Sequence, residues 1–201
     1  TYNANPANDI LNRPVDGPKD FDWNSTYGIY LQAKENIRQR YYPQAEEKLK
    51  LCLSKDPNFL PALSDMSMLM YRNGEYQKSL DFALHALRID TYDPATNFYY
   101  GLANGQLRNS ADAKDGFDIA SSSVEYRGAA YVELSKIYFK EQNYPRAIHY
   151  ASKCLEVNAS NIEAHQLLAL IHRVTDATDK ANNSLTSLKQ LSPLNHFNGF
   201  E

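Results

Sequence analysis

No stretch of this sequence approaches the ~20 consecutive apolar residues that a bilayer-crossing helix needs, so membrane insertion is not expected. Neither sign of charge dominates. The 21 basic and 24 acidic residues leave a net charge of -3, which removes the electrostatic case for nucleic acid or an anionic surface as partner. A Gly-rich phosphate loop, a nucleophile elbow and a paired-histidine zinc helix are all missing. No catalytic residue, metal ligand or cofactor is therefore assigned. The opening TYNANPAND has neither an initiating methionine nor a charged-then-apolar leader, from which the chain is expected to start inside a longer protein or after processing. The compartment stays open.

What the sequence does have is a repeat. Sliding residues 60–93, LPALSDMSMLMYRNGEYQKSLDFALHALRIDTYD, along the chain in steps of 34 finds the same pattern at Thr26, Pro94, Gly128 and Ile162. Counted within each unit, the eighth position reads Ala33, Ser67, Gly101, Ser135 and Ala169, and the twentieth reads Ala45, Ser79, Ala113, Ala147 and Ala181. Two helices reach the ~8 Å end of the packing range only where the crossing residues carry almost no side chain. The two columns thus mark where a first helix crosses a second. Larger groups stand where space remains: Tyr42, Tyr76 and Tyr144 at position seventeen, and Leu49, Phe117 and Leu185 at position twenty-four. Cys52 and Cys154 both fall at position twenty-seven, three units apart. With helices stacked roughly 8 to 10 Å apart they lie far beyond the ~7 Å Cα limit for a disulfide. They are read as small core residues.

Period and columns together resemble the tetratricopeptide repeat, a helix-turn-helix unit. Asn73-Gly74-Glu75-Tyr76 matches the inter-helix turn of that family, and Pro57 and Pro193 stand at its late proline, which Thr91, Glu125 and Ala159 replace in the other units. The likeness covers residues 26–195 without insertion, as units 26–59, 60–93, 94–127, 128–161 and 162–195. It implies an all-α fold, a right-handed α-α superhelix of five units, and an array that binds a peptide or protein. In the family the first helices line the concave side. Carried over position by position, that side receives Tyr27, Tyr30, Lys34 and Arg38, then Asp65, Met68, Tyr71 and Arg72, then Phe98, Tyr99 and Leu102. Val132, Glu133, Lys136, Phe139 and Lys140 continue it, Gln166, Leu170 and Arg173 end it, and Ile37 and Gln106 fall on it as well. Such a surface is aromatic in the middle and basic along one edge, and aromatic and Arg residues are the types that concentrate binding energy. About a third of these residues are expected only to pack first helix on first helix. The set that clamps heat-shock chaperone tails in this family is replaced here by Tyr30, Asp65, Ala95 and Tyr99, with only Lys34 suitable.

The segment 1–25, rich in Pro, Asn and Asp, reads as an extended connector, with Ile10, Leu11, Val15, Phe21 and Trp23 either docked on the first helix pair or unstructured. Helices are expected over 25–40, 43–55, 59–73, 76–89, 94–108, 110–121, 126–142, 144–157, 161–174 and 177–191. Asp93 and Asn161 are placed to cap the helices that follow them. The polar run 121–128 is the weak junction, where a bend or loosened contact is expected. Residues 196–201 either begin another first helix or fold back as a plug, with Asn195 as cap. His165 and His172 share a face seven residues apart but fall at core positions and lack a third ligand, and Asp112, Asp115 and Asp118 lack the loop a calcium site needs. The resulting expectation is a noncatalytic scaffold for a protein segment, as a module of a larger protein. A structural module appended to an enzyme domain, which holds that neighbouring domain or pairs with a second copy through an open array end, is the alternative, and a sugar-stacking groove comes third.

Overall fold

Each inter-helix turn is set by one residue in the left-handed region. Position fifteen of the repeat holds Arg40, Gly74, Arg108, Gln142 and Asp176, with φ of 64°, 78°, 66°, 58° and 57°. The next backbone N–H then reaches back to the carbonyl at position eleven: Tyr41 to Asn36, Glu75 to Met70, Asn109 to Asn104, Asn143 to Tyr138 and Ala177 to His172, at 2.8–2.9 Å. That bond closes off the end of each first helix and starts the second.

The computed structural model describes residues 20–199. Among them are ten α-helices, one final 3-10 turn and no strand. They divide into two compact bodies, one up to Asp56 and one from Pro57 onward. The first holds α1 (Thr26–Arg38) and α2 (Tyr42–Lys55); the second holds α3 (Leu60–Arg72), α4 (Tyr76–Leu87), α5 (Pro94–Gln106), α6 (Ser110–Ala120), α7 (Val124–Lys140), α8 (Tyr144–Val157), α9 (Ile162–Val174) and α10 (Thr178–Leu191). Asp93 accepts from the Thr96 N–H at 2.7 Å and Asn161 from the Ala164 N–H at 2.8 Å, the caps read from the sequence. Proline occupies the first turn of α2, α3, α5 and α8, where its missing N–H costs nothing.

Both small columns are buried in every repeat. Ala33, Ser67, Ser135 and Ala169 at position eight, and all five residues at position twenty, have no exposed surface. Where serine stands at position eight its hydroxyl crosses to the second helix: Ser67 donates to the Ser79 carbonyl at 2.9 Å and Ser135 to the Ala147 carbonyl at 2.8 Å. In the third repeat the fit is tighter still. A Cβ on Gly101 would lie 2.8 Å from the Phe117 ring, and one on Gly116 would lie 2.7 Å from the Asn97 carbonyl oxygen. Cys52 and Cys154 are buried free thiols, and burial raises the pKa of each.

A third small column, at position three, is also buried throughout, at Gly28, Ala62, Thr96, Ala130 and Ala164. Two polar residues at position four also have a structural task. Asn97 donates to the Thr91 carbonyl at 2.8 Å, and His165 meets the Ala159 carbonyl at 3.0 Å. Thr91 and Ala159 are two of the three places after second helices where the late proline is replaced, and there a side chain of the next repeat ties down the connection instead.

Residues 20–25 lie along α1, with the Phe21 ring 4.8 Å from Trp23 and 6.4 Å from Tyr27. The Gln32 amide donates to the Trp23 carbonyl at 2.9 Å. Ile10, Leu11 and Val15, and the last two residues of the chain, lie outside the described residues. His196–Gly199 forms the 3-10 turn, and Asn195 accepts from the Phe197 N–H at 2.9 Å and from Gln166 on α9 at 3.3 Å.

Candidate functional site

Within the second body the first helices run side by side, α3 against α5, α5 against α7, and α7 against α9. Their shared face carries the residues read from the sequence. Met68, Tyr71, Phe98, Tyr99, Leu102, Lys136 and Phe139 are half-buried there, while Arg72 and Lys140 are exposed. Val132 differs: it is 2% exposed and packs into the core, because position five faces the neighbouring helix in that repeat. Tyr27, Tyr30, Lys34 and Arg38 belong to the first body, where Lys34 reaches over the Tyr30 ring at 6.0 Å. Arg38 makes two bonds to Glu35 at 2.7 and 2.5 Å, which hold that exposed carboxyl down to about 2.

The aromatic centre is a packed group. Phe98 lies 5.7 Å from the Phe117 ring, 5.4 Å from Tyr126 and 5.6 Å from Tyr99, so it is as much core as surface. Burial raises the pKa of Tyr99, and the Asp65 charge adds to it against the opposing Arg72. Tyr126 is raised further, by burial and then by Glu125. Both phenols stay protonated and can donate a hydrogen bond. Tyr126 was not among the residues read as groove-lining, since it precedes the fourth repeat in the register. It arrives there because α7 begins at Val124, four residues ahead of that repeat.

The basic edge is less free than its composition suggests. Lys136 meets Glu133 at 2.7 Å and Glu163, from the next first helix, at 2.5 Å. Burial alone would lower its pKa, but the two carboxylates outweigh that and raise it. Among the described residues no group of three His, Cys, Asp or Glu side chains is placed to hold a metal. His165 is occupied with the Ala159 carbonyl, and burial lowers the pKa of His172, which keeps that ring neutral.

No protein-family model matches the chain. The TPR repeat-containing protein YpiA of Bacillus subtilis is 21% identical over 163 residues, which are 81% of this chain and 38% of that protein. The chain thus spans well under half the length of that relative. The solved structure of PilF from Pseudomonas aeruginosa superposes with a TM-score of 0.76 at 20% identity, over 89% of this chain and 82% of that one. YrrB, described as a TPR protein with an unusual peptide-binding site, superposes with a TM-score of 0.70 at 13% identity, over 89% of this chain and 92% of that one. With the 34-residue columns buried at every helix crossing, these likenesses show that the chain has the fold of a tetratricopeptide-repeat array.

Proposed function

We propose that the array is a noncatalytic scaffold, one module of a larger protein, that holds a peptide segment of a partner against α3, α5 and α7. The observation that carries this reading is the half-buried set Met68, Tyr71, Tyr99, Leu102 and Phe139 on adjacent first helices. Large, stiff side chains that are already partly desolvated lose little entropy on contact, and they concentrate affinity in few residues. The peptide-binding description of YrrB, which shares the fold, supports the same reading.

The test is to pan the chain against a random-sequence peptide library and measure the affinity of the enriched peptides. Tyr71→Ala combined with Tyr99→Ala should weaken them by about tenfold or more, while Leu84→Ala on α4 leaves them unchanged. Circular dichroism should report the same helix content for both variants. Enriched peptides that bind the double variant as tightly as the parent overturn the proposal.

A further inference from the structure

Position twelve of the repeat carries a large side chain in four units, Ile37, Tyr71, Phe139 and Arg173, and glycine in the third, Gly105. The two neighbouring glycines of that repeat have packing reasons, since a Cβ on Gly101 or Gly116 would press within 3 Å of other atoms. Gly105 has none. A Cβ there meets nothing within 4 Å, although helix propensity favours any ordinary residue over glycine. The space left is part of a cleft of about 420 Å³ between α5, α6 and α7, within the range of roughly 300 to 1,000 Å³ found for ligand sites.

The cleft floor is Leu102, Phe117 and Ile137, with the Phe117 ring able to lie beneath it because Gly101 has no side chain. The rim is charged, and its charges are unequal in their partners. Glu141 is met by Lys114 at 3.0 Å and Glu133 by Lys136 at 2.7 Å. Arg108 and Lys140 are exposed on the same rim and make no ion pair among the described residues. An occupant therefore needs an apolar body for the floor and a negative charge beside it for the two cations. Because Leu102 and Lys140 also belong to the first-helix face, the cleft opens onto that face, and a chain lying along it can drop one side chain in.

We infer that the cleft is an anchor pocket for one large apolar side chain of a bound peptide with an acidic residue next to it. The inference rests on the peptide-binding reading above and narrows it to a class of sequence. In the same library, enriched peptides should share Phe, Leu, Met or Trp beside Asp or Glu. Gly105→Leu should fill the pocket from within, leave the melting temperature unchanged or higher, and weaken those peptides by about tenfold or more. Arg108→Glu with Lys140→Glu should turn the selected flank from acidic to basic. Peptides that lack the motif, or that bind the Gly105→Leu protein unchanged while losing affinity for the Tyr71 and Tyr99 double variant, overturn the pocket and spare the scaffold. If no peptide is enriched at all, both fall.

Discussion

Gln142 is a long, unbranched side chain at φ 58°, a backbone conformation that costs a non-glycine residue roughly 1 kcal/mol. Gln142→Gly is expected to stabilise the fold by roughly 0.5 to 1 kcal/mol, since the exposed side chain makes none of the hydrogen bonds that close the turn. Gly116→Ala is expected to act in the other direction, although alanine is the better helix former. Its Cβ would meet the Asn97 carbonyl oxygen at 2.7 Å and the Gly101 backbone nitrogen at 3.0 Å, and backbone cannot swing aside as a side-chain tip can. Overpacking of this kind costs roughly 1 to 3 kcal/mol, more than the propensity gain. Urea denaturation of the two variants gives midpoints that should move apart on either side of the parent. A midpoint for Gly116→Ala at or above the parent value would mean that α5 and α6 do not cross as closely as described.

The one element whose position departs from the repeat register is α7. Its extra first turn exists because the run Ser121-Ser122-Ser123 lacks the apolar residues that would prolong α6, so the chain turns early and restarts at Val124. The polar junction is tied by hydrogen bonds. Arg127 Nε donates to the Ser121 carbonyl and its Nη2 to the Ser122 carbonyl, both at 2.9 Å, and Ser123 caps the new helix through the Glu125 N–H. Arg127→Met keeps the stem and removes both donors, at an expected cost of about 1 to 2 kcal/mol for a partly exposed charged donor. Amide exchange should rise across 121–127 and stay unchanged in α9 and α10; a uniform rise would assign Arg127 to the core instead. Helix ends elsewhere were legible in the sequence because capping residues and left-handed turns act over three or four residues. The charge of the first-helix face was not. Lys136 reads as a free cation until Glu163, one repeat later, is seen to reach it. Tyr126 could have been found only by noticing that three serines end a helix early, and Gly105 only by comparing it with the large side chains at position twelve of the other units.

In the second body the packing joins each helix to its neighbours in sequence and each first helix to the next, and among the described residues no substantial contact ties α3 or α4 to α10. Stability in such an array is a sum of local terms, and a defect is felt according to where it sits. Leu134, fully buried in α7, belongs to the cluster that links Phe117, Tyr138, Cys154 and Ile171 across four helices. Leu188, equally buried, lies in α10, which packs chiefly on α9 at the end of the array. Each leucine truncated to alanine should cost roughly 2 to 5 kcal/mol within its own neighbourhood. The consequences differ in extent. Leu134→Ala should lower exchange protection from α5 through α9 together, because the central repeats share the damaged core. Leu188→Ala should confine the loss to α9 and α10, leaving α3 to α7 and the cleft on α5, α6 and α7 intact. Peptide affinity should therefore survive Leu188→Ala and fall with Leu134→Ala, even though neither side chain faces the peptide. Equal loss of affinity from both would mean that the array opens as one cooperative block, and that the first-helix face is not assembled repeat by repeat.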